Sequence, residues 1–420
     1  MTSDGRGHRD RIATSRLGFM KGVRDEIDTD TAPALNLIHE ESPSKILDKP
    51  LRVLFAVDSR FPGLGGAESQ ALKLACALRE RGIEVEFVAP RVLLSQSVTE
   101  TVEGFFVQRI DYPHIRWIGS LVLMAYFARF LIANRGRFDA LHIHITHLLA
   151  ASAGYSKRWH AMPVTTKISG FYEFEGGVLD QSARWKPLNL LIRLGLSKVD
   201  HIQTISEQTG DKLLEAGFRH SQIKYVPNGV DTSVPPHSET NNETVTIGYC
   251  GRLREVKGVH VLLDGFAQVL QARPEQKLRL VIAGSGEILT SLQDQAESLG
   301  IAEQVDWLGR IDNTAEYFQS LTIYVQPSFA EGLPNSVMEA MVEQLPVIAS
   351  DIGGNNDLIE DEVTGLLFKV GDSFSLAERL IRYLDDVELR ESTALAGRNR
   401  MVEHYGFDQV VSSLSELYRA

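Results

Sequence analysis

The chain has 420 residues, of which 43% are hydrophobic and 23% charged, a balance typical of a globular protein with two or three domains. The 55 acidic residues outnumber the 43 basic ones and give a formal net charge of −12. This argues against a nucleic-acid-binding protein, because such proteins need a basic surface to neutralise phosphates. The two cysteines, Cys76 and Cys250, form no Cys-x-x-Cys pattern, so neither a disulfide scaffold nor a zinc module is expected and a reducing compartment fits.

Residues 1–50 are polar and broken by Gly, Pro, Asp and Ser. They contain no apolar core of a secretory signal and are interpreted as a flexible leader. The most apolar stretch, 118–130, contains Arg129 and is shorter than the ~18 residues of a membrane-spanning helix. It is interpreted as a buried helix, with a helix on a bilayer surface as the alternative.

The next part of the chain, residues 51–235, has the pattern of a doubly wound parallel sheet. A short apolar strand at 51–57 is followed by a glycine-rich turn, an amphipathic helix at 67–81 and a strand at 83–88, which is one βαβ unit. Further apolar runs predict strands at 140–145, 164–168, 201–205 and 224–227.

A polar segment at 236–243 lacks any periodic apolar pattern and is the predicted linker. The α/β pattern then restarts over residues 244–400, with strands at 245–250, 278–283, 305–308, 323–326 and 346–350 and helices at 259–272 and 335–343. The predicted fold class is therefore α/β, with two Rossmann-like domains facing each other across a cleft. Such sheets bind ligands at the carboxyl ends of their strands, so functional residues should follow strands directly.

The first candidate site is the turn at 63–66, which contains Gly65 and Gly66 and precedes a helix. Backbone N–H groups at a helix N-terminus favour an anion, and glycine lets a phosphate approach the chain. The spacing matches neither the dinucleotide-binding nor the Walker motif, so an ordinary tight turn is an equal alternative. Glu68 in the first helical turn is explained by compensation of the helix dipole.

The second candidate site is the loop after the first strand of the second domain, which carries Arg252 and Lys257. The guanidinium offers a planar fork for two oxygens and the ammonium offers a point charge. Together they indicate a site for a diphosphate, with a solvated surface pair as the alternative.

The third candidate site is the segment from Glu331 to Glu339, which follows a predicted strand. Asn335 or Ser336 could cap the following helix, whose N–H groups could hold phosphate or sugar oxygens. The Glu339 carboxylate could accept hydrogen bonds from two ribose hydroxyls. The alternative is that Glu331 caps the helix and Glu339 is solvated.

The fourth candidate is His142-x-His144, whose side chains share one face of a strand. A metal site is not favoured, because His147 changes face and no third ligand has close spacing. His142 is interpreted as a core histidine, whereas His144 at the end of the strand is predicted to point toward the cleft.

Together these residues resemble a family-4 retaining glycosyltransferase of the GT-B fold over roughly residues 51–400. The most specific match is the run from Pro327 through Glu331 to Glu339-Ala340-Met341, the E-x7-E motif of the family. The other matching motifs are Gly251-Arg252-Leu253 with Lys257-Gly258, the hinge Val226-Pro227-Asn228-Gly229-Val230-Asp231, and the loop Gly65-Gly66-Ala67-Glu68.

The resemblance implies roles for these residues. Arg252 and Lys257 would hold the donor diphosphate, Glu339 the ribose and Glu331 the donor sugar, and His144 would lie near the reacting sugar carbon. Gly65 and Gly66 would close over the phosphates, and the backbone of Gly332, Leu333, Pro334 and Asn335 would contact sugar and phosphate. Neither a metal nor any other cofactor is expected, and a C-terminal helix at 401–420 is expected to pack back on the first domain.

The implied activity is retaining transfer of a sugar from a nucleoside-diphosphate sugar to a saccharide or lipid-linked acceptor, with UDP favoured by family frequency. Because the departing diphosphate can take the acceptor's proton on the same face, Glu331 would orient the donor and would not act as a nucleophile. The alternative is a non-catalytic nucleotide-sugar-binding or scaffolding protein of the same fold, although all four charged motif residues are present. An epimerase or a glycan phosphorylase is a third option, for which no pyridoxal-phosphate lysine motif is found.

A cytoplasmic location is expected, with a peripheral contact at the inner face of the plasma membrane as an option. Residues 115–135, including Leu121 and Leu123, would form that contact, and aromatic residues at 171–174 with Trp185 could line the acceptor site. Three departures from the family pattern stand out, one of them being Asn355-Asn356-Asp357 after Gly353-Gly354, where Ile/Asn-Pro-Glu is usual. Gln344 replaces the glycine expected after the E-x7-E helix, where a left-handed residue is usual, and Ser169 replaces a common histidine.

Overall fold

The computed structural model describes residues 50–63, 65–116, 118–170, 173–174, 176–237 and 243–419. The predicted leader lies outside the described residues, except for Pro50 at its end. Leu64, Phe171, Tyr172 and most of the predicted linker lie outside them too.

The first sheet has eight strands in the order β3-β4-β2-β1-β5-β6-β7-β8. All neighbours are parallel except β3, which runs antiparallel to β4 at one edge. The strands are β1 (Arg52–Val57), β2 (Glu84–Pro90), β3 (Thr99–Val102), β4 (Phe105–Ile110), β5 (Ala140–His144), β6 (Val164–Lys167), β7 (His201–Thr204) and β8 (Ile223–Tyr225).

The second sheet has six strands, all parallel, in the order β11-β10-β9-β12-β13-β14. The strands are β9 (Thr244–Cys250), β10 (Lys277–Ala283), β11 (Val305–Gly309), β12 (Ile323–Gln326), β13 (Val347–Ser350) and β14 (Leu366–Phe368). This is the doubly wound order in which strand progression reverses beside the first strand. The predicted class of two Rossmann-like α/β domains is therefore confirmed.

Helices connect and cover the strands of both sheets. They are α1 (Gly66–Glu80), α2 (Gly119–Ala133), α3 (Leu148–His160), α4 (Pro187–Leu196), α5 (Glu207–Glu215), α6 (Val259–Ala272), α7 (Leu289–Ser298), α8 (Thr314–Gln319), α9 (Asn335–Val342), α10 (Gly353–Asn356), α11 (Ser373–Asp385), α12 (Val387–His404) and α13 (Phe407–Arg419). Among the described residues, none of these helices combines the length and the hydropathy needed to cross a bilayer.

Helix α2 corrects the prediction of a buried helix at 118–130. Leu123 and Phe127 are buried in the core of the first lobe, but Leu121, Tyr126 and Ile132 are each more than 40% exposed. The apolar stretch therefore has one face in the core and a largely apolar face, interrupted by Arg129, on the surface. Leu123 is correspondingly wrong as a surface contact position, because its side chain is only 4% exposed.

The C-terminal helix α13 belongs to the core of the first lobe. Its residues Val410, Leu414 and Tyr418 are buried together with Phe55 of β1 and Leu74 of α1. The chain therefore crosses between the lobes twice, once after β8 and once before α13.

The two crossings pair with each other at the junction of the lobes. The Val230 N–H donates to the carbonyl of Tyr405, and the Phe407 N–H donates back to the carbonyl of Val230. A Cβ on Gly229 would lie 2.4 Å from the Phe407 ring, so only glycine allows this contact. The motif interpreted as an interdomain hinge thus lies where the two crossings meet.

Helix α9 ends on Gln344 in the left-handed conformation, with φ of +63°. The Leu345 N–H donates to the Ala340 carbonyl and the Gln344 N–H to the Met341 carbonyl, which is the Schellman arrangement. Gln344 therefore takes the geometry that glycine usually supplies and bears the associated backbone strain of roughly 1–2 kcal/mol.

Candidate functional site

The strand order reverses between β1 and β5 in the first sheet and between β9 and β12 in the second. The candidate residues follow all four of these strands, with Gly65 and Gly66 after β1. His144 ends β5, Arg252 and Lys257 follow β9, and Glu331 follows β12. Open α/β sheets bind their ligands at these reversal points, so the fold places the residues where a ligand is expected.

Glu331 is the centre of a hydrogen-bonded network in the loop after β12. Its Oε1 atom accepts hydrogen bonds from Lys257 Nζ at 2.6 Å, Ser328 Oγ at 2.7 Å and Gln326 Nε2 at 2.8 Å. The Glu331 side chain is only 11% exposed. The carboxylate is therefore fixed in place and neutralised by a charged partner, and it does not cap α9.

Gln326 is in turn held from its other side. Its Oε1 atom accepts from the hydroxyl of Tyr324 at 2.7 Å and from that of Ser336 at 3.1 Å. Both the oxygen and the nitrogen of the Gln326 amide are hydrogen-bonded, so Gln326 fixes the loop after β12 against the start of α9. The sequence analysis named neither Gln326 nor Ser328 as a site residue, although Gln326 ends β12 and Ser328 lies between β12 and Glu331.

Gly258 brings the loop after β9 into contact with the loop after β12. It has a φ of +66°, and a Cβ built on it would lie 2.0 Å from the carbonyl oxygen of Pro327. Close by, the Phe329 N–H donates to the Val256 carbonyl at 2.8 Å. This backbone contact explains how Lys257 reaches Glu331 across 74 residues of sequence.

The start of α9 differs from the prediction that Asn335 or Ser336 is the N-cap. Pro334 is the N-cap and Asn335 the first helical residue, so no side chain caps the first N–H groups. The Asn335 side chain instead accepts a hydrogen bond from Asn228 of the hinge segment at 2.8 Å. The N-terminal amides of α9 are left without a side-chain acceptor, which favours an anionic ligand.

The N-terminus of α1 lies opposite that of α9. Its N-cap is Gly65, which offers no side-chain hydrogen bond, and a Cβ on Gly66 would lie 3.4 Å from Nδ2 of Asn335. Two helix N-termini without side-chain caps therefore meet across the boundary between the lobes. The positive ends of their dipoles add at this point, as a site for a doubly charged group requires.

Glu339 is not solvated, because its carboxylate accepts a hydrogen bond from Lys73 Nζ at 2.5 Å. The Glu339 side chain is 19% exposed and that of Lys73 42%. The sequence analysis missed Lys73, which lies seven residues, or about two helical turns, after Gly66. That spacing puts Lys73 on the face of α1 that turns toward the second lobe.

Arg252 lies outside the Glu331 network. Its side chain is exposed, and its guanidinium makes no hydrogen bond or ion pair within the described residues. The Arg252 carbonyl accepts a hydrogen bond from Tyr249 Oη at 3.1 Å. Burial raises the pKa of Tyr249; Glu331 raises it further, while Arg252 lowers it. Both charged groups are thus close to one phenol, and Arg252 is available to an incoming anion.

His144 is buried and does not open directly onto the cleft. Its ring is 1% exposed and stacks on His142 with the centroids 4.5 Å apart. His142 Nδ1 lies 2.5 Å from Tyr418 Oη of α13, so the two rings occupy the layer between the sheet and α13. Burial lowers the pKa of His142 to about 3 and also lowers that of His144, which makes both imidazoles neutral at pH 7.

Within the described parts of the chain, no three His, Cys, Asp or Glu side chains are grouped as they would be around a metal ion. His147, the third histidine considered above, instead lies 3.8 Å from the carboxylate of Asp58. That carboxylate also accepts a hydrogen bond from the Leu149 N–H at the start of α3.

Two family models together match most of the chain. Residues 64–234 match the model described as Glycosyltransferase Family 4, and residues 232–400 match the model described as Glycosyl transferases group 1. The boundary between the two matches lies at the first crossing between the lobes.

The chain is also similar to curated glycosyltransferases over most of their length. The chain is 24% identical over 381 residues to the N-acetyl-alpha-D-glucosaminyl L-malate synthase of Bacillus anthracis, covering 85% of this chain and 94% of that protein. It is 26% identical over 372 residues to the phosphatidyl-myo-inositol mannosyltransferase of Mycobacterium leprae, covering 84% of this chain and 92% of that protein.

Solved structures share the fold. Anabaena HepE in complex with UDP superposes with a TM-score of 0.71 at 19% identity, over 87% of this chain and 99% of that one. The sucrose-phosphate synthase of Thermosynechococcus elongatus also gives a TM-score of 0.71 at 19% identity, over 88% and 98% of the two chains. With two family-model matches and the two facing Rossmann-like domains, the chain belongs to the family-4 glycosyltransferases of the GT-B fold.

Proposed function

We propose that this glycosyltransferase moves a sugar from a UDP-sugar to a saccharide or lipid-linked acceptor, with retention of anomeric configuration and without a metal. The observation that carries the proposal is the arrangement of Lys257, hydrogen-bonded to Glu331, beside the uncapped N-termini of α1 and α9. Cations and helix N-termini gathered at one point suit a diphosphate leaving group.

The transfer breaks the bond between the sugar C1 and the diphosphate oxygen, and negative charge develops on that oxygen. Lys257, Arg252 and the amides of α9 would stabilise this charge more in the transition state than in the bound donor, which accelerates the reaction. The acceptor oxygen attacks C1 from the face that the diphosphate leaves, and its proton passes to a diphosphate oxygen. No protein base is then required.

Glu331 is better suited to orient the donor sugar than to attack it. Its Oε1 atom already accepts three hydrogen bonds, one of them from an ammonium group. Hydrogen bonds to a carboxylate stabilise its charge and lower its reactivity, so a covalent glycosyl-enzyme intermediate on this residue is disfavoured. The Glu339 carboxylate would bind the ribose after it releases Lys73.

The choice of UDP is supported by solved relatives in the same fold, since Anabaena HepE was crystallised with UDP and with UDP-glucose. The proposal predicts that UDP-sugars raise the melting temperature of the protein more than GDP-sugars do. Slow hydrolysis of the bound donor, followed by proton NMR, should release first the anomer present in the donor. Failure of every UDP- and GDP-sugar to bind at millimolar concentration would contradict the proposed activity, and release of the opposite anomer would contradict retention.

A peripheral membrane contact is part of the proposal for a lipid-linked acceptor. Helices α2 and α4 flank the buried helix α3 on one face of the first lobe. This face, here called the α2/α4 surface, exposes Leu121, Tyr126, Ile132, Trp185, Leu190 and Leu194. Basic residues on these helices or beside their ends are exposed as well, namely Arg129, Arg158, Arg184 and Lys198. The chain as a whole is acidic, with a net charge of −12. A surface that combines exposed apolar and basic side chains is complementary to an anionic bilayer at the inner face of the plasma membrane.

Flotation with vesicles that contain anionic lipid tests this contact. The wild-type protein is expected to float with the vesicles, and Leu121→Glu, which places a charge on the α2/α4 surface, should reduce the bound fraction several-fold. Leu395→Glu is a matched control, because Leu395 is 50% exposed on α12 of the second lobe and Leu121 is 47% exposed. Absence of wild-type protein from the floating fraction, or equal loss in both variants, would contradict the membrane contact.

A further inference from the structure

A lysine that no step above uses lies buried in the first lobe. Lys167 is the last residue of β6 and is 6% exposed. It is in register with His144 on the neighbouring strand, and burial lowers the pKa of its ammonium group to about 8. Removing such a group from water is unfavourable unless it gains hydrogen bonds or an opposite charge.

Within the described residues, the Lys167 ammonium group makes no hydrogen bond and no ion pair. Two buried carboxylates in this lobe make no ion pair with Lys167. Asp58 accepts from the Leu149 N–H, and Glu173 accepts from Ser169 through Oε1 while its Oε2 is buried without a partner. The groups that do face Lys167 are the imidazoles of His142 and His144, whose pKa values it lowers further. The Nε2 atoms of both rings are also buried without a partner.

Lys167 lies close to the boundary between the lobes. Three residues later in the chain, the Cα of Gly170 is 2.7 Å from the position that a Cβ on Gly332 would take. Gly332 directly follows Glu331 in the donor loop, so the segment after β6 touches the segment that would hold the donor sugar. An acceptor seated on the first lobe would have to approach the donor at this contact.

We propose that Lys167 binds an anionic group, a carboxylate or a phosphate, of the sugar acceptor. The inference rests on the proposed function and extends it, because it assigns the acceptor to the class of negatively charged molecules. The Lys167 ammonium group has no carboxylate partner and lies beside two buried neutral imidazoles, so it lacks the negative charge that an anionic ligand would supply. The proposed binding groups of the donor diphosphate are Lys257 and the uncapped N-termini of α1 and α9, so the donor does not need Lys167.

Inorganic phosphate is the probe, added to the full-length protein saturated with UDP so that the diphosphate site is filled. Calorimetry is expected to show phosphate binding to the wild-type protein and at least tenfold weaker binding to Lys167→Met. Lys198→Met is the control, since the Lys198 ammonium lies over the Tyr155 ring, 4.4 Å from its centroid, and its loss should leave the phosphate affinity within twofold. UDP affinity should be unchanged in both variants.

Each contrary result has its own meaning. Equal phosphate affinity in wild type and Lys167→Met, or no phosphate binding to the UDP-saturated wild type, overturns the acceptor-anion site while UDP binding still supports the glycosyltransferase proposal. Loss of UDP affinity in Lys167→Met assigns Lys167 to the donor site and also overturns the inference. The variant is expected to fold, because an apolar side chain of similar length removes an unpaired buried charge. Its melting temperature at pH 7 should therefore equal or exceed that of the wild type.

Discussion

Lys257→Ala is expected to lower the rate of sugar transfer, or of donor hydrolysis, by about 10²–10³-fold, which corresponds to ~3–4 kcal/mol in the barrier. The reason is twofold. The variant lacks the cation that stabilises the departing diphosphate, and it leaves the Glu331 carboxylate with only the neutral donors Gln326 and Ser328. An uncompensated carboxylate, only 11% exposed in the wild type, would repel the diphosphate as well. Turnover of the UDP-sugar that binds best measures the effect.

The double variant Lys257→Ala/Glu331→Gln separates these two contributions. Removing the carboxylate charge should restore part of the UDP affinity but little of the turnover rate. Lys277→Ala is the control, because Lys277 pairs with Glu243 on the surface with more than 60% of both side chains exposed, and such pairs contribute little. A turnover rate for Lys257→Ala within threefold of the wild type would show that this ammonium does not act on the leaving group.

Gly258→Ala is expected to destabilise the protein by about 2–5 kcal/mol and to impair donor binding. A residue with a Cβ is disfavoured at a φ of +66° by about 1–2 kcal/mol. In addition, the new methyl group would lie 2.0 Å from the Pro327 carbonyl oxygen, and relieving such overpacking typically costs about 1–3 kcal/mol. Because the contact joins the loops after β9 and β12, its relief would move Lys257 away from Glu331. Urea unfolding and UDP binding measure the two effects.

Gly300→Ala is the matched control for that experiment. Gly300 has a φ of +72°, and a Cβ on it would have no neighbour within 4 Å. The free energy of unfolding of Gly300→Ala should fall by the backbone strain alone, about 1–2 kcal/mol, and its UDP affinity should be unchanged. Equal destabilisation by the two substitutions would mean that the contact between Gly258 and Pro327 does not hold the loops together.

The sequence predicted the strands of both sheets best where they are buried on both faces. β12 and α6 were predicted with the bounds that the structure gives, and β1, β9 and β10 within one residue. Continuous apolar runs closed by glycine or proline explain this success. β3 was missed because it is an edge strand whose residues are exposed or half-buried, which leaves no apolar run to detect. β4 was missed although it is largely buried and begins with the apolar run Phe105-Phe106-Val107.

The sequence predicted the site residues within each loop, but it did not predict the contacts that they make across the cleft. Glu331, Lys257 and Glu339 belong to local motifs, whereas Lys73 meets Glu339 over 266 residues of sequence and only folding brings them together. The predicted N-cap at Asn335 was wrong for the same reason, since Asn228 of the hinge engages its side chain. His144 stacks on His142, and the partner of His142 is Tyr418 of α13, which comes from the end of the chain.

The central claim is that the pyrophosphate of the donor binds between the lobes. A crystal structure of the protein with UDP tests it most directly. The account predicts the β-phosphate within hydrogen-bond distance of Lys257 Nζ and of the first backbone N–H groups of α9, with the ribose on Glu339 and Lys73 displaced from it. UDP bound elsewhere, or a β-phosphate that touches neither Lys257 nor α9, would contradict it.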